Sequence, residues 1–404
     1  MVNLNNLTHS KFRSMSYETL LFIFCGVAFC GYLGSHMRLP VVPLFARSIG
    51  ANTVQVGFIN SAFLLVAGIL SLPLGILSDR FGRKRLAAIG LIMLSATSFM
   101  LYFSKTPTHL MGIYLFFGMG LAAFGPTMMS LVADFSPATH LGRSYGWYTT
   151  ALYTSMSLGP AIGGFIAQEK GYLQVFLISG MMIFITFWIA VFFLPPTHIL
   201  IGNRPKKRNP YIIIKELLNN QPLLSCWLVT LGGCFGLGMF ITFLPLHAHN
   251  QSLKMGQIGL VFAAHGISNA VSRVPFGHLS DKVANRRTLV VIGLIGFSAS
   301  MAGFAISKHT IHFVIFAVTF GISMGLAFTS IGALIAEVVP VESRGLAMGG
   351  YNTCIYLGML ISSVSMGAII QNSGFESGFF LTAGINLILV GFFHFLMKKF
   401  SPSR

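Results

Sequence analysis

Arg38 stands two residues after His36 and two before Pro40, at the end of an apolar stretch that opens near Tyr17. A charge at membrane depth is costly and marks function by default. A guanidinium there can bind an anionic substrate group, couple to protonation with His36 beside it, or snorkel outward to the interface, and the sequence leaves all three open. Arg273, two residues before Pro275 and about two turns before Asp281, is the second cation of this kind. It either pairs structurally near a helix end or reaches a substrate. His265 precedes Asn269 by one turn and can change charge near neutral pH; alternatively it stays neutral, bonded to a backbone carbonyl or to that asparagine. Phe124, Tyr148, Tyr153 and Asn352 are candidates for lining a cavity.

Other chemistries find no matching pattern. The acidic residues Glu18, Asp79, Asp134, Glu169, Glu216, Asp281, Glu337, Glu342 and Glu376 all fall near predicted helix ends or in loops. Cysteines 25, 30, 226, 234 and 354 sit in apolar segments, with neither metal-ligand spacing nor a disulfide framework. No nucleotide-binding loop pattern occurs. The chain therefore reads as not an enzyme, with no metal and no cofactor.

The elements that must position these residues follow from composition. Soluble chains are about one quarter charged; this one is 9% charged and 54% hydrophobic, with a mean hydropathy of +0.77. Apolar runs long enough to cross a bilayer as helices recur throughout. The predicted spans are 18–45, 53–78, 86–104, 109–133, 144–168, 171–194, 221–246, 256–280, 288–307, 310–336, 346–370 and 376–397. The first is too long for a cleaved signal and lacks a small-residue cleavage site, so it reads as a retained span. The fold class is all-α polytopic membrane protein, with 12 transmembrane helices in two pseudo-symmetric six-helix bundles.

The formal charge of +17 reports orientation. With the N-terminus inside, the cytoplasmic segments hold 19 of the 26 Lys and Arg residues, which places both termini in the cytoplasm. The cations face anionic lipid headgroups, and no soluble domain presents a basic face to nucleic acid. The expected location is a bacterial cytoplasmic (inner) membrane, and the expected state a monomer.

The longest polar interruption, 197–220, lies at the midpoint and reads as a cytoplasmic linker, with an amphipathic portion near 211–217. It separates an N-terminal bundle, 1–196, from a C-terminal bundle, 221–404. The halves repeat at an offset of 202: Gly31 with Gly233, Gly34 with Gly236, Pro43 with Pro245, Gly75 with Gly277, Asp79 with Asp281. A one-residue drift then pairs Pro137 with Pro340 and Gly146 with Gly349. Duplicated bundles of parallel topology are the physical basis of alternating access, two halves rocking about a central site.

"GILSDRFGRKR" at 75–85 is answered by "GHLSDKVANRR" at 277–287. Gly75 permits close helix approach, Asp79 can face a neighbouring helix N-terminus, and Gly82 allows a short turn before Arg83 and Lys84. Over essentially its whole length the chain resembles the major facilitator superfamily of transporters, most closely its 12-helix drug/proton antiporters. The loop motif matches at Gly75, Leu77, Asp79, Arg80, Gly82, Arg83 and Lys84. The resemblance implies a cytoplasmic latch of Asp79, Arg83 and Asp134, with Asp79 capping span 11 in the outward-open state. In the second copy Asp281 is kept, but Asn285 stands where the arginine belongs, so a weaker latch is expected there.

"SLGPAIGG" at 157–164 is similar to the span 5 motif of the family's antiporters, at Gly159, Pro160, Gly163 and Gly164. A Gly-Pro step bends a helix and paired glycines give it a smooth crossing surface. Where the antiporters carry an arginine on span 4, four residues before Gly-x-Gly, this chain has Tyr114 ahead of Gly118 and Gly120.

The implied activity is secondary active transport of a small molecule, namely proton-coupled efflux of an amphipathic or organic solute by alternating access. The alternative is a transporter, for uptake or export, of an anionic metabolite, siderophore-like or sugar-like, without obligatory proton coupling. Arg38 and Arg273, with no central carboxylate, favour the anion; span 5 favours antiport.

Overall fold

The computed structural model describes residues 16–195, 216–283, 285–340 and 343–398. The linker up to residue 215, including most of its amphipathic portion, and both chain termini lie outside the described residues. So do the side chains of Asp79 and Asp281.

The described chain is helical with short turns. Its helices are α1 Tyr17–Met37, α2 Val41–Ser48, α3 Thr53–Phe81, α4 Arg83–Tyr102, α5 Pro107–Phe135, α6 Leu141–Lys170 and α7 Tyr172–Phe193. After the linker come α8 Gln221–Asn250, α9 Met255–Lys282, α10 Arg286–Ile306, α11 Thr310–Val338 and α12 Arg344–Lys398. Polar residues at the N-termini satisfy amide groups that a helix leaves unpaired. Asn52 and Gln55 form a reciprocal capping box on α3, Thr106 caps α5 ahead of Pro107, and Asn220 caps α8.

Glycines with positive φ sit at four helix junctions: Gly50 (91°) between α2 and α3, Gly82 (91°) between α3 and α4, Gly171 (85°) between α6 and α7, and Gly374 (82°) inside α12. The last divides α12 into two arms, 344–373 and 375–398, which correspond to predicted spans 11 and 12. One expectation needs correction. The first span is not continuous over 18–45 but breaks at 38–40 between α1 and α2. Pro40 has no amide to donate and turns the preceding residue away from helical geometry. Thr242 occupies the equivalent place in the second half, and α8 runs through unbroken.

Helices α1–α7 pack mainly on one another, as do α8–α12. The sequence repeat reappears as a repeat of contacts. Gly31 faces Leu91 and Phe124, while Gly233 faces Leu294 and Phe328 in the same arrangement. Two seams join the halves, α3 against the first arm of α12 and α6 against α9. By length and composition nine segments of the described residues can cross a membrane; α6 and α9 are long enough but too polar to be among them. Their polarity is tolerated because each turns a face to the other rather than to lipid.

Because lipid tails are as apolar as leucine, association of such helices relies on close packing of small residues. Gly163 lies so close to the Met37 carbonyl that a Cβ would overlap it, whereas Gly75 faces open space. Gly163→Val should therefore cost about 1–3 kcal/mol by overpacking, visible as a lower unfolding temperature by tryptophan fluorescence in detergent. Gly75→Val, with the same change in helix propensity, should leave that temperature close to the parent's.

Candidate functional site: the route between the two halves

The seams are sealed at one end only. Along α3 and α12, Gly57 sits under the Ser363 carbonyl, Gly68 packs on Tyr356, and Gly367 packs on Thr53 and Val54. Along α6 and α9, Gly164 meets Gly259 and the Met255 carbonyl, and Ser157 meets Gly266. These contacts lie toward the helix ends away from the basic loops 80–85 and 282–287. Toward the basic end the same helix faces carry Gly75, Gly146, Gly277 and Gly349. Three of these meet nothing within 4 Å, and Gly277 meets only Thr329 of its own half, at 3.9 Å. The halves thus enclose a cleft that opens at the basic end.

Buried hydrogen bonds fasten the sealed end. Asn60 Nδ2 donates to Thr242 Oγ1 at 2.7 Å, and the Thr242 hydroxyl shares a 2.9 Å bond with Ser363. All three side chains are buried. On the other seam the Gly256 amide donates to Gln168 Oε1 at 3.1 Å. Sequence reading missed these residues. The one signal near them is a spacing of small residues by 7 and 11 on three of the four seam helices, at 57, 68, 75, at 146, 157, 164 and at 259, 266, 277.

The span 5 motif serves two contacts at once. Gly159 and Gly163 receive the backbone of α1 at His36 and Met37, while the Pro160 carbonyl and Gly164 face α9. Glycine on both sides of α6 lets it be pressed between two helices.

At the basic end each half carries its own ion pair. Arg83 is paired with Asp134 and also donates to the Ser130 carbonyl. In the second half Arg286 pairs with Glu337 at 3.0 Å and donates from Nε to the Ser280 carbonyl at 3.1 Å. In the second copy, where Asn285 stands at the arginine position, the next residue, Arg286, reaches Glu337, the counterpart of Asp134 at an offset of 203. One residue of drift in the turn is absorbed by a long, flexible side chain.

Arg38 is neither a surface anchor nor open to the cleft. It is 1% exposed, so outward snorkelling is excluded in this structure. Nη1 donates to Thr97 Oγ1 (3.2 Å) and Ser98 Oγ (3.0 Å), and the guanidinium carbon lies 4.1 Å from the Phe117 ring centre. Its Nε and Nη2 have no partner. Tyr114 is buried beside it, its ring 5.5 Å from that of Phe117. The second half places Phe240 at the equivalent position, 5.0 Å from Phe320. A phenyl ring fills that space, so packing alone does not require the charge. His36 faces elsewhere. Its Nδ1 is 2.7 Å from the Tyr32 carbonyl and its Cβ abuts Gly159, so Arg38 and His36 do not act on one group here.

Arg273 faces the cleft. Its Nε donates to Asn269 Oδ1 at 2.9 Å, and its guanidinium lies 4.3 Å from the centre of the Tyr153 ring, across the seam. Tyr351 is within electrostatic reach of both Arg273 and Tyr153. Tyr32, Tyr148 and Tyr356 form a second cluster of phenols. Asn352 is exposed on α12. His265 takes neither expected partner; it lies against Phe320 (4.7 Å) and Phe240 (4.8 Å), with Nδ1 unpaired, while Asn269 Oδ1 accepts from Arg273. Phe124 is buried inside the first half rather than at a cavity wall.

A helical membrane protein whose two similar halves close one end of a shared cleft and part at the other has the build of a transporter. Residues 24–256 and 248–404 both match the Major Facilitator Superfamily, and the chain belongs to that family. It is 26% identical to an uncharacterised MFS-type transporter of Methanocaldococcus jannaschii, over 94% of this chain and 98% of that one. It is also 26% identical to the quinolone resistance protein NorA of Staphylococcus aureus, over 88% of this chain and 91% of NorA. Among solved structures, a bacterial homologue of the human lysosomal transporter Spinster shares the fold. The TM-score is 0.80 at 15% identity, covering 96% of this chain and 99% of that one.

A hydrogen bond contributes about 1 kcal/mol net, so Thr242→Val, which keeps shape and removes two, should shift the seal roughly five- to thirtyfold toward opening. The measurement is labelling of Thr53→Cys, buried in that seam, by a membrane-impermeant maleimide. An unchanged labelling rate would show that the bonds do not hold the seal.

Proposed function

We propose that this protein is a secondary active transporter that exports an amphipathic organic solute in exchange for protons, by alternating access. Twelve spans form two six-helix bundles, 1–196 and 221–404, joined by the linker 197–220. The open, basic end is the cytoplasmic one on the positive-inside rule, which puts both termini in the cytoplasm and makes this the inward-open state.

The observation that carries the proposal is the one-sided seam, together with its register. Each seam is antiparallel, and its observed pairs are Gly57 with Ser363, Gly68 with Tyr356, Gly164 with Gly259, and Ser157 with Gly266. Continuing that register brings Gly75 to Gly349 and Gly146 to Gly277. A rocking motion that releases the outer contacts can close the inner ones, glycine on glycine, with no side chain in the way. The loop motifs sit where that closure occurs. Arg83 with Asp134, and Arg286 with Glu337, would hold the loops in shape, and Asp79 would cap the start of α12. Export is supported by the similarity to a quinolone resistance protein, and exchange for protons by the likeness of the span 5 motif to that of the family's antiporters.

In a chain whose five native cysteines are replaced by serine, the pair Gly75→Cys and Gly349→Cys should cross-link in the outward-open state. Transport in proteoliposomes should then stop and recover on reduction. Imposed pH gradients of opposite sign should drive solute in opposite directions. Failure of the pair to cross-link under any ligand or pH condition would remove the rocking cycle, and indifference to both gradients would remove proton coupling.

A further inference from the structure

Resting on the transport reading, we infer that the solute carries an anionic group, a carboxylate being the simplest, and that this group seats on the Arg273 guanidinium between Tyr153 and Tyr351.

Arg273 lies nine residues, about 14 Å, from the basic end of α9, and meets α6 at Tyr153. Its Nε is fixed by Asn269 at 2.9 Å and its guanidinium carbon lies over the Tyr153 ring. Two constraints on a planar group fix the direction of the remaining edge. Among the described residues Nη1 and Nη2 find no hydrogen-bond or ion-pair partner, and unlike the Nε and Nη2 of Arg38 they are not among the sealed, unpartnered atoms. An arginine fork held this way matches the two oxygens of a carboxylate.

Electrostatics select the sign of the partner. Among the described residues the carboxylates stand at helix ends; Asp134 and Glu337 are taken by Arg83 and Arg286, and Glu18 lies 3.9 Å from Arg143. None is paired with Arg273. Arg38 adds a second uncompensated positive charge within the first half. An unbalanced guanidinium inside a membrane protein is costly, and an anion arriving from the cytoplasm would offset that cost. A cationic solute would add to it.

The site draws on both halves: Tyr153 comes from α6, Arg273 from α9 and Tyr351 from α12. A ligand bridging them bears on the relative position of the two bundles, as a cargo must. The phenols around the cleft suit a planar apolar body attached to the charged group.

The test uses three isosteres that differ in charge: naphthalene-2-carboxylate, its amide and its amidine. Binding to the full-length protein is measured by calorimetry in phosphatidylcholine nanodiscs, whose headgroups carry no net charge. The carboxylate should bind at least tenfold tighter than the amidine, with the amide between them. Arg273→Gln should bring the three within about twofold, and Arg273→Lys, which keeps the charge but not the fork, should retain part of the preference. Equal affinities, preference for the amidine, no measurable carboxylate binding, or an unchanged ranking in Arg273→Gln would each overturn the inference. The ranking in the parent protein decides even if Arg273→Gln fails to fold. The Gly75/Gly349 cross-link requires no anion, so the transport reading stands or falls separately.

Discussion

Everything in this structure depends on how closely two helix backbones can approach where the halves meet. In a bilayer there is no hydrophobic drive between helices, so contact must come from packing and from hydrogen bonds. The seams meet that requirement with glycine and serine, as where the Ser363 carbonyl lies over Gly57 and the Pro160 carbonyl over Gly259. A Cβ at those glycines would push the halves apart. Since the stripes continue to Gly75, Gly146, Gly277 and Gly349, the surface that seals one end is also present, unused, at the other. A seam with equivalent surfaces at both ends can be shut at either, which is the geometric basis of the proposed cycle.

Polar groups are placed according to what each region must do. The sealed end uses neutral hydrogen bonds, Asn60 to Thr242 to Ser363, each worth little by itself, so the seal can be broken without paying to expose a charge. The basic end uses ion pairs within each half, Arg83 with Asp134 and Arg286 with Glu337. Those hold the loops in shape without tying the halves together. Between the two ends the chain keeps cations without carboxylates, and the aromatic faces of Phe117 and Tyr153 supply the nearest negative potential.

The comparison of Arg38 with Phe240 separates structure from chemistry. Two positions related by the internal repeat fill the same space, one with a guanidinium and the other with a phenyl ring. Packing is served by either, so what distinguishes the first half is the charge. The two halves, alike in the packing of this core, thus differ there in charge.

The sequence alone determined the class of fold, because a bilayer admits only helices or closed barrels, and apolar runs of helical length recur along the chain. It also determined the internal repeat and the turn at Gly82, since these are properties of short segments or fixed spacings, while the pairing of Arg83 with Asp134 was implied only by the family resemblance. Tertiary structure decided the rest. Pairwise contact between residues some two hundred positions apart, as at Asn60 and Thr242, leaves no local pattern. The pairing of Arg286 with Glu337 and the turn of Arg273 toward Tyr153 and Asn269 depend on how helices rotate about their axes. Hydropathy fixes where a helix runs but not which face it turns to a neighbour, and on that rotation the site depends.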